Sequence, residues 1–285
     1  MFACLLPQNA PNRSWRKPAP AQLVRVDAPG GAPFYRLEAP LRRGQLDWNA
    51  IEQAAGRMRT KMLFPEGLAP PAPPQASSPA RAKLEPGIRA FVPRRLPLLL
   101  CLRMAQQVLR ASQTPARNLS VTIVDQRGML SRCLEPFVPL AGSLRVCTPD
   151  AAAYRAASAQ LLERYGVTLI LSCSPGCFAQ SDVVIADELS LFTGRERGLI
   201  FTPDSKPHSR AVRCKEPALP EPYAKLCPEG FDPLLFASAL YELCGVKEME
   251  RLSFGHFAFD GISEAFQLPE ITRLLDESPF VFRAN

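Results

Sequence analysis

Leu119-Ser120-Val121-Thr122-Ile123-Val124-Asp125-Gln126-Arg127-Gly128-Met129 decides the fold. Residues 121–124 form a short β-branched run closed by a polar turn, which reads as a strand buried on both faces. Working outward, residues 129–140 read as a helix that Pro136 and Pro139 kink or shorten, and residues 144–147 as a second strand. Residues 151–165 form the clearest helix, opened by Thr148-Pro149-Asp150 and closed by Gly166. Residues 167–171, 183–186 and 199–201 complete a series of five strands, with a short helical turn at 176–180. Strands alternating with helices predict an α/β class: a Rossmann-like parallel sheet with helices on both faces.

The first turn departs from what that architecture uses to hold a pyrophosphate. Such turns carry glycines so that backbone N–H groups reach the phosphates at a helix N-terminus. Here Asp125 and Arg127 stand at those places and Gly128 is alone. A carboxylate at Asp125 would face two phosphates, whereas Arg127 could pair with one.

The runs Val121-Thr122-Ile123-Val124, Leu144-Arg145-Val146-Cys147, Leu161-Leu162-Glu163-Arg164-Tyr165-Gly166 and Ser181-Asp182-Val183-Val184-Ile185-Ala186 resemble the dinucleotide-binding domain of the shikimate dehydrogenase and glutamyl-tRNA reductase group. The resemblance implies NAD or NADP as cofactor. It places Asp125, Arg127 and Gly128 at the phosphates and Thr148 and Asp150 at the ribose. Asp150 is more simply read as a helix cap.

Ligands in such sheets bind outside the carboxyl ends of the strands, here Asp125, Thr148, Ser172-Cys173-Ser174 and Asp187-Glu188. Cys173 is the candidate nucleophile, although neither His208 nor His256 has a context that brings a base to it. Asp187-Glu188 could serve as a paired carboxylate if the strand ends there, but adjacent side chains otherwise diverge and the pair is more simply read as a solvated loop. His208, between Lys206 and Arg210, could touch a phosphate or equally be solvated, and His256 sits among aromatics as a packed residue. The nine cysteines are scattered and odd in number, without paired metal-ligand spacing, so neither a disulfide scaffold nor a metal site is expected.

Residues 22–39 alternate around Ala28-Pro29-Gly30-Gly31 as a β-hairpin, and residues 48–64 read as a helix capped by Asp47. The expected organisation is a small basic hairpin-plus-helix unit at 1–64, a proline-rich linker at 65–97, and the Rossmann-like domain with C-terminal helices at 98–285. A unit of 64 residues with one hairpin and one helix buries little on its own, so it is expected to pack on something else. A helix at 98–111 leads into the first strand. Residues 202–222 read as a long loop, 231–243 as a helix opened by Asp232-Pro233, 255–261 as a strand or turn, and 269–275 as a final helix.

The chain of 285 residues carries a net charge of +7, with 47% hydrophobic and 21% charged residues, as a globular protein does. Residues 1–100 hold 15 Lys and Arg against 6 Asp and Glu. These cations are spread singly or in pairs, without a recognisable nucleic-acid motif, so nucleic acid is not the expected partner. Residues 2–6 are too short for a secretory h-region, and the apolar run at 96–102, ended by Arg103, is too short for a membrane span; a cytoplasmic location is expected.

Three functions follow as expectations. The first is a non-catalytic or regulatory Rossmann-like protein binding a small ligand or a protein partner at the strand ends. The second is an NAD(P)-dependent oxidoreductase with an atypical cofactor site. The third is an interaction protein that docks on an acidic partner through its basic N-terminal unit.

Overall fold

A computed structural model describes residues 1–9, 20–42, 45–56, 61–68, 89–194, 196–259 and 265–277. The chain divides into two compact units, residues 1–96 with 218–253 and residues 97–217 with 254–285.

The first unit begins with β1 (Phe2–Asn9), followed by the hairpin strands β2 (Gln22–Val26) and β3 (Phe34–Arg42), then β4 (Gln45–Leu46), α1 (Trp48–Gly56), β5 (Lys61–Leu63) and β6 (Arg89–Ala90). Strand β1, the run too short for export, lies inside the sheet, parallel to β3 on one side and to β5 on the other. The expected hairpin is present, with β2 antiparallel to β3.

The expected helix at 48–64 is a shorter helix followed by a strand. Met62 and Leu63 continue the i, i+4 pattern of Ile51 and Ala55, yet β5 pairs with β1 and β6 and buries both residues. Pairing across the chain outweighs local periodicity here. The heart of the expected linker, residues 69–88, lies outside the described residues.

Alternation along β1 gives the first sheet two apolar faces. Ala3 and Leu5 pack with Leu37, Ala39, Ile51, Ala55 and Met62. On the other face the Phe2 and Phe34 rings stack at 4.9 Å, and Phe236 meets both edge-on at 6.0 and 5.5 Å. Phe236 belongs to α4 (Pro233–Cys244). Residues 218–253 therefore group with the N-terminal unit and not with the C-terminal domain of the sequence expectation, because the small sheet needs a second apolar layer. The hairpin turn fastens the same segment: Ala32 N–H donates to Cys244 O at 2.8 Å and Tyr223 O–H to Pro29 O at 2.8 Å. Glu242 Oε1 accepts backbone N–H groups from Arg94, Arg95 and Leu96.

The second unit contains α2 (Leu96–Ala111), β7 (Ser120–Val124), β8 (Ser143–Cys147), α3 (Arg155–Tyr165), β9 (Ile170–Ser172), β10 (Val183–Ala186), β11 (Leu199–Phe201), β12 (Ala211–Ala218), β13 (Ser253–Phe259) and α5 (Leu268–Asp276), save the terminal residues Leu96, Ala218 and Ser253, which belong to the first. Its sheet runs β13-β12-β11-β10-β7-β8-β9. The six strands β7 to β12 thus take the order 3-2-1-4-5-6, all parallel, which is the Rossmann arrangement. Strand order reverses between β7 and β10.

Two corrections concern the connections. After β7 the expected helix is two 3-10 turns, Ser131–Cys133 and Glu135–Leu140, since Pro136 and Pro139 remove N–H donors that an α-helix would need. The expected loop at 202–222 contains β12, a strand made mixed in pattern by Lys215, Glu216 and Pro217 and held by parallel pairing with β11. Val121, Ile123, Val183 and Ile185 pack with Met104, Ala105 and Val108 of α2 and Ile271 and Leu275 of α5. The alternate residues Val124, Val184, Ala186 and Ile200 pack with Phe178 and Leu189, so both faces of the sheet are covered. Among the described residues, no helix is long and apolar enough to cross a membrane.

Candidate functional site

The crevice of a Rossmann sheet lies outside the carboxyl ends of its strands, where the order reverses. Here that point falls between β7 and β10. Register pairs Ala186 with Val124, so Asp187 and Asp125 follow at the same level on neighbouring strands.

Asp125 is fully buried and engaged on every side. Its Oδ1 accepts the Arg127 N–H at 3.0 Å, and its Oδ2 accepts the Leu130 N–H at 2.8 Å and the Tyr154 O–H at 2.5 Å. Tyr154 is itself buried, and that burial, together with the hydrogen bond to Asp125 and its charge, pushes the phenol well above its ordinary range. The N–H groups that a dinucleotide-binding turn would aim at phosphate thus aim at a carboxylate of the same turn.

Gly128 has φ +67°, and a Cβ there would come within 2.9 Å of Ala153 Cβ, so glycine serves the seating of this turn against the segment after β8. Arg127 is exposed and contributes its backbone N–H to the turn. With 3-10 turns in place of a helix, the turn also lacks the α-helix N-terminus whose dipole favours an anion.

The other predicted residues close turns of their own. Thr148, buried, accepts the Asp150 N–H on Oγ1 at 3.1 Å and donates its N–H to Ser172 O at 2.9 Å. Asp150 Oδ1 accepts the Ala153 N–H at 3.2 Å and caps the turn that leads into α3. Ser172 Oγ accepts the Ser174 N–H at 3.1 Å, and Thr202 Oγ1 accepts the Asp204 N–H at 3.1 Å. Four strand ends therefore finish in the same device, a side-chain oxygen taking the N–H two residues on.

The end of β10 does not. Both carboxylate oxygens of Asp187 are sealed from solvent, and neither has a hydrogen-bond partner among the described residues. Burial first, then the charges of Asp125 and Glu188, push its carboxyl up to about 6, against the pull of the Arg127 guanidinium. The expectation of a solvated Asp187-Glu188 loop is corrected in this respect. What sequence reading missed was Tyr154 as a partner of Asp125 and Asp187 as a sealed acid; the apolar run 183–186 directly before Asp187 was the available signal.

Cys173 is exposed at the end of β9. Both histidines face carboxylates. His208 Nε2 lies 3.2 Å from Glu196 Oε2, with both side chains buried, and His208 Nδ1 accepts the Arg210 N–H, which fixes Nε2 as the protonated nitrogen. His208 is therefore packed against Phe192 and Glu196, away from the role of a surface phosphate contact. Burial works to raise the Glu196 carboxyl, but hydrogen bonds from Thr193 and His208 hold it below its ordinary value. His256 Nδ1 lies 3.2 Å from Glu216 Oε2. Among the described residues, no three His, Cys, Asp or Glu side chains are grouped to hold a metal ion.

No family model and no curated protein matches the chain. Among solved structures it is similar to the Δ1-pyrroline-2-carboxylate reductase of Thermococcus litoralis, solved with NADH and L-proline, at 11% identity and a TM-score of 0.29 over 37% of this chain and 36% of the reductase. It is also similar to the L-tryptophan dehydrogenase of Nostoc punctiforme, at 10% identity and a TM-score of 0.30 over 89% of this chain and 70% of that enzyme. The chain spans about a third of the reductase's length. Likenesses at this level say nothing of what this chain binds, and the Rossmann-like assignment rests on the strand order.

Proposed function

We propose that this protein is a non-catalytic or regulatory Rossmann-like protein that holds no dinucleotide in the usual mode and binds a small ligand or a protein partner at the carboxyl ends of its sheet. One observation carries this reading: the Asp125 carboxylate takes the Arg127 and Leu130 N–H groups and the Tyr154 O–H, leaving none of these donors for a pyrophosphate. A phosphate entering there would meet a buried negative charge and would have to displace three hydrogen bonds. The displaced Asp125 carboxylate would be left buried without its donors, which costs at least about 1–3 kcal/mol.

The competing reading is an NAD(P)-dependent oxidoreductase of the kind the shikimate dehydrogenase resemblance implies, and the strand order favours it. Calorimetric titration of the full chain with NAD, NADH, NADP and NADPH separates the two. The expected result is no saturable heat up to about 1 mM of any of the four, a limit of about −4 kcal/mol in binding free energy. Micromolar binding of one of them would overturn the proposal in favour of the oxidoreductase.

A further inference from the structure

We infer that the end of β10 is a proton-linked device: the sealed place of Asp187 beside Asp125 favours the neutral acid, and ionisation there sets a second negative charge beside Asp125 and loosens the segment that follows. The geometry comes first. Parallel register puts Asp187 level with Asp125 on the adjacent strand, and Asp125 already commands the donors of that corner. The two Asp187 oxygens are sealed and unpartnered. A carboxylate is poorly accommodated in such a place, whereas a carboxylic acid is tolerated.

The charged groups around it agree. Asp125 from the β7 turn and Glu188 from its own strand end both repel a charge on Asp187, and Arg127 attracts one. Its own backbone N–H pulls weakly in the same direction as Arg127 without hydrogen-bond geometry. The Tyr154 hydroxyl is spent on Asp125, and the Asp204 carboxylate after β11 is spent on the Leu189 and Lys206 N–H groups.

A carboxyl raised in the folded state to about 6 contributes stability that is complete below the unfolded value near 3.8 and is lost as pH rises through 6. Exposing Asp187 to water relieves the ionised state. The response is confined to residues close to it, since further along the chain the segment is pinned. Beyond Leu189, whose N–H to Asp204 is the bond that loosens, the Phe192 ring stacks on Phe178 at 4.5 Å, and Glu196 holds both Thr193 and His208. The inference concerns the unliganded chain and holds whether or not the crevice takes a dinucleotide.

The test is a carboxyl-carbon NMR titration of the full chain, with hydrogen exchange at residues 187–190 as the second readout. The expected midpoint for Asp187 is about 6. In the wild type, protection at these amides, corrected for intrinsic rates, falls between about pH 4.5 and about pH 7.5, and in Asp187→Asn it does not. Over the same interval the unfolding equilibrium constant of the wild type rises on the order of tenfold relative to the variant, the two-unit shift being discounted for partial exposure. A midpoint near the ordinary aspartate value, or protection that is independent of pH, would overturn the inference. The titration and the exchange are measured on the wild type, so they decide even if the variant fails to fold.

Discussion

Asp125 and Asp187 stand at the same level of neighbouring parallel strands, follow equally apolar runs, and have opposite surroundings. The β7 end spends two backbone N–H groups and a phenol on one carboxylate; the β10 end gives its carboxylate no hydrogen bond among the described residues. The difference teaches that this Rossmann-like sheet has built an internal anion into the place where its fold would otherwise receive an external one. The neighbouring strand end is left to manage the consequence.

Removing the internal anion breaks the comparison most severely. Asp125→Ala takes the acceptor from the Arg127 N–H and leaves the Leu130 N–H and the Tyr154 hydroxyl unpaired in the interior, and is expected to cost about 3–5 kcal/mol in urea unfolding. It also lowers the Asp187 midpoint toward the ordinary value, because one repelling charge is gone. Gly128→Ala strains a φ of +67° and presses a methyl against Ala153, with an expected loss of about 2 kcal/mol by thermal denaturation. Tyr154→Phe removes one of three hydrogen bonds to Asp125 and should cost about 1.5 kcal/mol.

On the β10 side the sign reverses. Asp187→Asn is expected to stabilise the chain by about 1 kcal/mol above pH 6 and to leave it unchanged below pH 4. Cys173→Ser, at an exposed strand end, should change stability by less than about 0.5 kcal/mol. A large loss at Cys173 would mean that the end of β9 does more than close its own turn.

The parallel core was legible because its strands are short β-branched runs between turns. Residues 121–124, 183–186 and 199–201 needed no partner to be recognised. Strand β1 was not, since five apolar residues at a chain start become a strand only through β3 and β5, which lie roughly 30 and 60 residues away in the chain. The same holds for Lys61–Leu63, whose two apolar residues also fit a helical period.

At the site, the replacement of glycine by Asp125 was visible, and so was the capping capacity of Asp150. The saturation of Asp125 was not, because Tyr154 reaches it from 29 residues further on. Asp187 beside Glu188 looked like a solvated pair; the sealing of its oxygens depends on the packing of several strand ends that sequence spacing does not encode.

The central claim is that the donors of the first turn belong to Asp125, and amide NMR of Arg127 and Leu130 tests it most directly. Both resonances should stay fixed as NADH or inorganic pyrophosphate is added up to about 1 mM, and both should move in Asp125→Asn, where the acceptor changes. Saturable shifts of these amides at micromolar dinucleotide in the wild type would contradict the account, because the turn would then be surrendering its donors to a phosphate.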